Sequence, residues 1–151
     1  MSSKLTGNWK GVIALTSNLD KDLISSSKSY LLRESEELKN KVKDVIQNQT
    51  ESWTPLAKDT IERKGSDKML IETGQLLDSI EVVKQSDLEY VITPQGNHSS
   101  GISNSQLAMY QEYGTSKIPP RPFFRPVGEE NTTQVVEEVK EIVQQTINKY
   151  K

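Results

Sequence analysis

The chain has 151 residues, 33% of them hydrophobic and 26% charged, and a formal net charge of −2. That length fits one domain, 1–151, with a modest core and a largely polar surface. The absence of cysteine excludes a disulfide framework and thiolate chemistry, and the slightly acidic balance removes the whole-protein electrostatic case for nucleic-acid binding. The longest apolar run, Val12 to Leu15, is too short for a membrane span; no signal peptide is evident, which makes the cytosol the expected compartment.

In chain order, residues 8–19 read as a short helix with Trp9, Val12, Ile13 and Leu19 on one side. Asp20 then reads as the N-cap of a second helix. In it Ile24, Leu31, Leu38 and Val45 recur every seven residues, with Leu23, Tyr30, Val42 and Ile46 beside them. This is a helix of about seven turns whose apolar stripe faces the core and whose mixed charges face water. After a loop, Thr54 is a suitable N-cap with Pro55 at the first helical position, and Gly65 is a suitable stop. Leu70 to Leu77 reads as another short helix, weakened by about 1 kcal/mol at Gly74.

Ile80 to Gln85 and Leu88 to Thr93 alternate as two strands of a hairpin joined at Ser86 and Asp87. Residues 95–104 are polar and glycine-rich, a flexible loop. Asn104 or Ser105 caps a helix that ends at Tyr113, where Gly114 supplies the stop. Pro119, Pro120, Pro122 and Pro126 then stiffen an extended arm, 118–127, before a last helix, 128–151, striped by Val135, Val139, Ile142 and Ile147. The order implies an α+β fold: a small antiparallel sheet packed against a long N-terminal and a C-terminal helix.

No constellation supports catalysis. His98 is the single histidine and lies in the polar loop, and Gly114 to Lys117 lacks the upstream glycine and strand of a phosphate loop. The chain is therefore expected not to be an enzyme and to carry no metal or cofactor. The candidate contact residues are Tyr113, Arg121, Phe123, Phe124 and Arg125, because aromatic and arginine side chains dominate interface hot spots. The arginines are open to two readings: they contact acidic groups on a neighbouring subunit or the next ring, or they bond carbonyls of the arm or a carboxylate of their own chain. Contact with single-stranded nucleic acid is a weaker third. Adjacent Phe123 and Phe124 face opposite ways in an extended arm, one toward the domain and one toward a partner. The arm is expected to cross a subunit boundary, leaving the monomer folded when Phe123 or Arg125 is truncated.

Two blocks carry a family resemblance. Glu112-Tyr113-Gly114-Thr115 followed by Pro119-Pro120-Arg121-Pro122-Phe123-Phe124-Arg125-Pro126 resembles the signature of HK97 gp10-like tail-completion or neck proteins of tailed bacteriophages. Trp53, Pro55, Leu56, Thr60, Lys64 and the run Leu70 to Ile80, with Thr73 and Gly74, are similar to a pattern of the related phage virion-morphogenesis proteins. The resemblance implies a structural virion protein, assembled in the host cytoplasm, that forms a ring at the head–tail junction. Six copies are favoured over twelve. The implied partners are a head-completion or connector protein and a tail terminator or tail tube protein, with genome DNA passing through the channel without sequence-specific binding. The alternatives are a tail terminator or head-closure protein of similar fold, or, outside phages, a small nucleic-acid-binding module using the Arg/Phe loop.

Overall fold

The computed structural model describes Gly7 and residues 9–150. The first element, α1 (Trp9–Asn48), is one helix of 40 residues, about 60 Å long by its rise per residue. The expected break at Asp20 is absent. No proline interrupts the segment, and a capping residue cannot end a helix where the backbone bonds of both flanks continue unopposed. Tyr30, Val42, Val45 and Ile46 are buried along the C-terminal part of α1, so the stripe meets the core toward Val45, while Ile24 at its other end is exposed.

Four short elements follow. α2 (Lys58–Lys64) starts later than Thr54 and Pro55 predict; its N-cap is Ala57, with no side-chain cap. Gly65 ends it at φ +67° and donates its N–H to the Ile61 carbonyl at 2.8 Å. The helix expected over residues 70–77 shrinks to α3 (Gln75–Asp78), with Gly74 as N-cap at φ +82°. The cause lies in α1's end: the Gln49 amide accepts from Met69 N at 2.8 Å and donates to Met69 O at 3.1 Å. They hold the chain just before Leu70, which stands at φ +62°, outside helical space. β1 (Ile80–Ser86) and β2 (Glu89–Pro94) form the predicted antiparallel hairpin, in the register Ile80 to Pro94 and Val82 to Ile92. Its two-residue turn sits at Asp87 and Leu88, where Lys84 and Lys28 reach the Asp87 carboxylate at 2.6 and 3.3 Å. Both lysines hold that carboxyl below the usual range.

The polar loop is more ordered than its composition implies. His98 N bonds Ile102 O at 2.8 Å, Ser99 N bonds the Gln75 side chain at 3.2 Å, and buried Asn104 donates to Gln95 O at 2.7 Å. Ser103, one residue ahead of expectation, caps α4 (Asn104–Tyr113) by accepting from Gln106 N at 3.1 Å. α5 (Arg125–Asn148) begins three residues earlier than expected, with Pro126 in its first turn, where the missing N–H is harmless.

α5 runs antiparallel along α1. Asn131 accepts from Lys41 near one end, and Tyr150 Oη donates to Asp22 Oδ2 at 2.9 Å at the other. The hairpin packs against α1 as well, which it needs because two strands alone are marginal in water. The result is the α+β fold: among the described residues, five helices and a two-stranded antiparallel sheet. Its core gathers Val42, Ile46, Trp53, Leu77, Ile80 and Phe123.

One acidic group sits inside the α1–α5 seam. Glu34 is buried, and burial first, then Glu37 and Glu138, push its carboxyl above the usual range. A raised folded-state value means that ionised Glu34 opposes folding above that value, and the penalty vanishes as pH falls below the unfolded value of 4.5. Glu34→Gln is therefore expected to raise the melting temperature at pH 7, and the gain should disappear near pH 4. Parallel melts of both proteins across that range measure the difference.

Candidate functional site

The stretch from Glu112 to Val127 forms a knot in which Glu112, Thr115 and the run Arg121 to Arg125 are held by local bonds. α4 ends at Gly114, whose φ of +75° and ψ of 178° lie in a region that only glycine occupies readily. A Cβ there would meet Ile118 O at 2.8 Å and Pro120 N at 2.9 Å. Thr115 closes the reversal: its hydroxyl accepts from Lys117 N and Ile118 N, both at 3.1 Å, and its N–H donates to Ile118 O at 2.8 Å. The returning strand then donates Arg121 N to Gln111 O at 2.6 Å, satisfying one of α4's terminal carbonyls.

Glu112 ties the knot. Its side chain is buried, and its two oxygens accept from three successive backbone N–H groups: Phe123 at 2.8 Å, Phe124 at 3.0 Å and Arg125 at 2.9 Å. These groups open α5, whose N-cap Phe124 has no side-chain cap of its own. A carboxylate at a helix N-terminus meets both the unpaired donors and the positive end of the dipole. One helix's last turn thus caps the first turn of the next.

The second sequence block joins here. Trp53 is buried and donates Nε1–H to Pro122 O at 3.0 Å; Arg121 donates from Nη2 to Thr54 O at 3.3 Å. Phe123 is fully buried among Ile46, Trp53, Ile80 and Val127, and its ring lies 4.8 Å from that of Phe124. The arm therefore lies on its own domain, which corrects the expectation that 118–127 projects across a subunit boundary. Arg121, 6% exposed, and Phe123, 0% exposed, are removed from the candidate contact surface. Arg121 bonds within its own chain, but to the Thr54 carbonyl, which lies outside the arm.

Three candidates stay accessible. Tyr113 is 72% exposed, Arg125 is exposed and Phe124 is half-buried. They share a shallow cleft of about 400 Å³ with Ile92, Ala108 and Met109. A second apolar face was missed as a surface feature: Trp9, Val12, Ile13 and Leu15, on the N-terminal part of α1, are each about half exposed or more. They precede Asp22, where Tyr150 marks the end of α5's cover, so α1 continues past its partner. The hydrophobic pattern of residues 9–19 is visible in the sequence; that none of the described elements covers it is a tertiary fact.

Other chemistry is sparse. His98 is half-buried and pairs through Nδ1 with Ser100 Oγ at 2.9 Å. Among the described residues, no group of three or more His, Asp or Glu side chains is placed to hold a metal ion, and no helix is long and apolar enough to cross a membrane. Compared with protein-family models, curated proteins and solved structures, the chain matches none.

Proposed function

We propose that the chain is a structural component of a tailed-phage neck that completes the tail or joins it to the head, as a ring around the DNA channel. The observation that carries this reading is the two-block signature, joined by the bonds from Trp53 to Pro122 and from Arg121 to Thr54. Residues far apart in sequence, recognised together, are the residues that lock one structural unit.

The exposed faces supply a means of assembly. The cleft at Tyr113, Phe124 and Arg125 borders the start of α5, and the bare part of α1 lies beyond α5's other end. Two different apolar faces roughly 36 Å apart, the length of 24 helical residues, suit head-to-tail contacts, which close into rings when the rotation permits. Six copies remain the favoured number, and neighbouring neck or tail proteins would cover what the ring leaves open.

Inactivating the gene in its phage tests the reading. DNA-filled heads and separate tails should accumulate in electron micrographs, and complementation with the intact chain should restore joined particles. Complementation with Ile13→Glu should fail although that protein melts like the parent, since a substitution at an exposed site costs within about 0.5 kcal/mol. Normal virions from the inactivated phage would refute the proposal.

A further inference from the structure

A second concavity, of about 450 Å³, opens on the other flank of the knot, between α2, the start of α3, α4 and the loop 115–121. Four cations line it, Arg63, Lys64, Lys117 and Arg121, against one carboxylate, Glu72. That carboxylate is already engaged by Arg63 at 2.8 Å. Lys64 bonds the Lys68 carbonyl at 2.7 Å and has two further N–H donors. A chain with a net charge of −2 thus gathers positive charge in one place.

Arg121 makes the imbalance costly. Its side chain is 6% exposed, yet no carboxylate pairs with it among the described residues; its guanidinium has the bond to Thr54 O, and its Nε–H has no partner. Burial alone depresses its guanidinium; burial also lowers the Lys64 ammonium, which Glu72 attracts and Arg63 and Arg121 repel. A buried charge is strongly unfavourable unless it is paired and hydrogen-bonded. The neighbouring Gln111 Oε1 is also buried without a partner. An amide rotated end for end would present its NH₂ to the same space. The cleft therefore gathers four cations against one carboxylate, which Arg63 already engages.

We propose that this cleft is an oxyanion site, taking a carboxylate or phosphate group on Arg121 and Lys64, with Lys117 at its mouth. Two oxygens of one ligand would accept from the Arg121 guanidinium and the Lys64 ammonium, two charge-assisted bonds. Leu56, Leu107 and Ile118 form apolar walls suited to the body that carries the group. The inference stands on the cleft's charge and the unpartnered donor, and is independent of the neck assignment.

Titration of the full chain with inorganic phosphate and, separately, with malonate tests it, at ionic strength matched with sodium chloride. Calorimetry should show saturable binding of at least one probe at one site per chain, and the melting temperature should rise with its concentration. Binding of phosphate alone or malonate alone identifies the preferred group; binding of both supports a general oxyanion site. Lys64→Gln should weaken binding about tenfold, equivalent to about 1.4 kcal/mol, and leave the ligand-free melt close to the parent's. Lys117→Gln should weaken it less, and Arg33→Gln, on the exposed side of α1, should not change it. Failure of both probes to act beyond chloride would overturn the proposal. So would binding that Lys64→Gln leaves unchanged.

Discussion

Glu112→Ala should destabilise the domain by about 3–5 kcal/mol, because each buried donor left unpaired costs on the order of 1–3 kcal/mol and water can reach some of the freed groups. For a chain of this size that corresponds to a fall in melting temperature of roughly 10 °C or more. Three N–H groups lose their acceptor at once, and α5 loses the side-chain cap of its first turn. Glu112→Gln provides the internal control. It keeps one acceptor oxygen but places an NH₂ toward donors and removes the charge–dipole attraction. Its stability in urea titrations should fall between those of the parent and the alanine variant. An alanine variant within about 0.5 kcal/mol of the parent would show that the carboxylate does not hold the knot.

Phe123→Ala should cost about 3–5 kcal/mol, the usual range for deleting a fully buried aromatic ring, including the cavity left behind. The adjacent positions make the contrast sharp. Phe124 is half-buried and should cost less, while Tyr113, at 72% exposed, should cost little. This order, measured by chemical denaturation, separates a core position from surface ones within eleven residues of chain. It reverses the sequence-based expectation that truncating Phe123 leaves the monomer folded. Any loss of assembly by Phe123→Ala is then a consequence of lost stability, whereas loss of assembly by Tyr113→Ala would report contact with a partner.

The parts of the fold legible in the sequence are those set by local chemistry. The hairpin follows from alternating residues on both sides of Asp87, and the end of α2 follows from Gly65, whose left-handed backbone disfavours other residues. The heptad-spaced stripe of α1 finds the core through Val42 and Val45 for the same reason: period alone sets which face is apolar. The misread parts depend on distant partners. Residues 70–74 are non-helical because Gln49 holds Met69, twenty residues away in sequence. The proline-rich stretch lies flat because Glu112 and Trp53 bind its backbone. Proline limits φ but leaves open what the chain packs against.

The candidate site was legible in a similar division. Aromatic and arginine content marked the right stretch, but could not separate Phe123 and Arg121, which are buried, from Tyr113 and Arg125, which are accessible. Glu112 was read only as part of a motif, since a carboxylate acting on N–H groups eleven to thirteen residues later has no periodic signature. The basic cleft is the extreme case. Arg63 and Lys64 come from α2 and Lys117 and Arg121 from the loop 115–121, two separate segments, and only the fold sums their charges.

The central structural claim is that the Arg/Phe segment is part of the domain before any partner arrives, and amide hydrogen exchange on the isolated chain tests it most directly. The amides of Phe123, Phe124 and Arg125 should exchange as slowly as those of the core residues Ile46 and Ile80, opening only with global unfolding. Glu112→Ala should speed all three selectively when compared under conditions where that variant remains folded. Exchange of these amides near the rate of an unstructured peptide, while Ile46 and Ile80 stay protected, would contradict the account and restore the reading of a free arm.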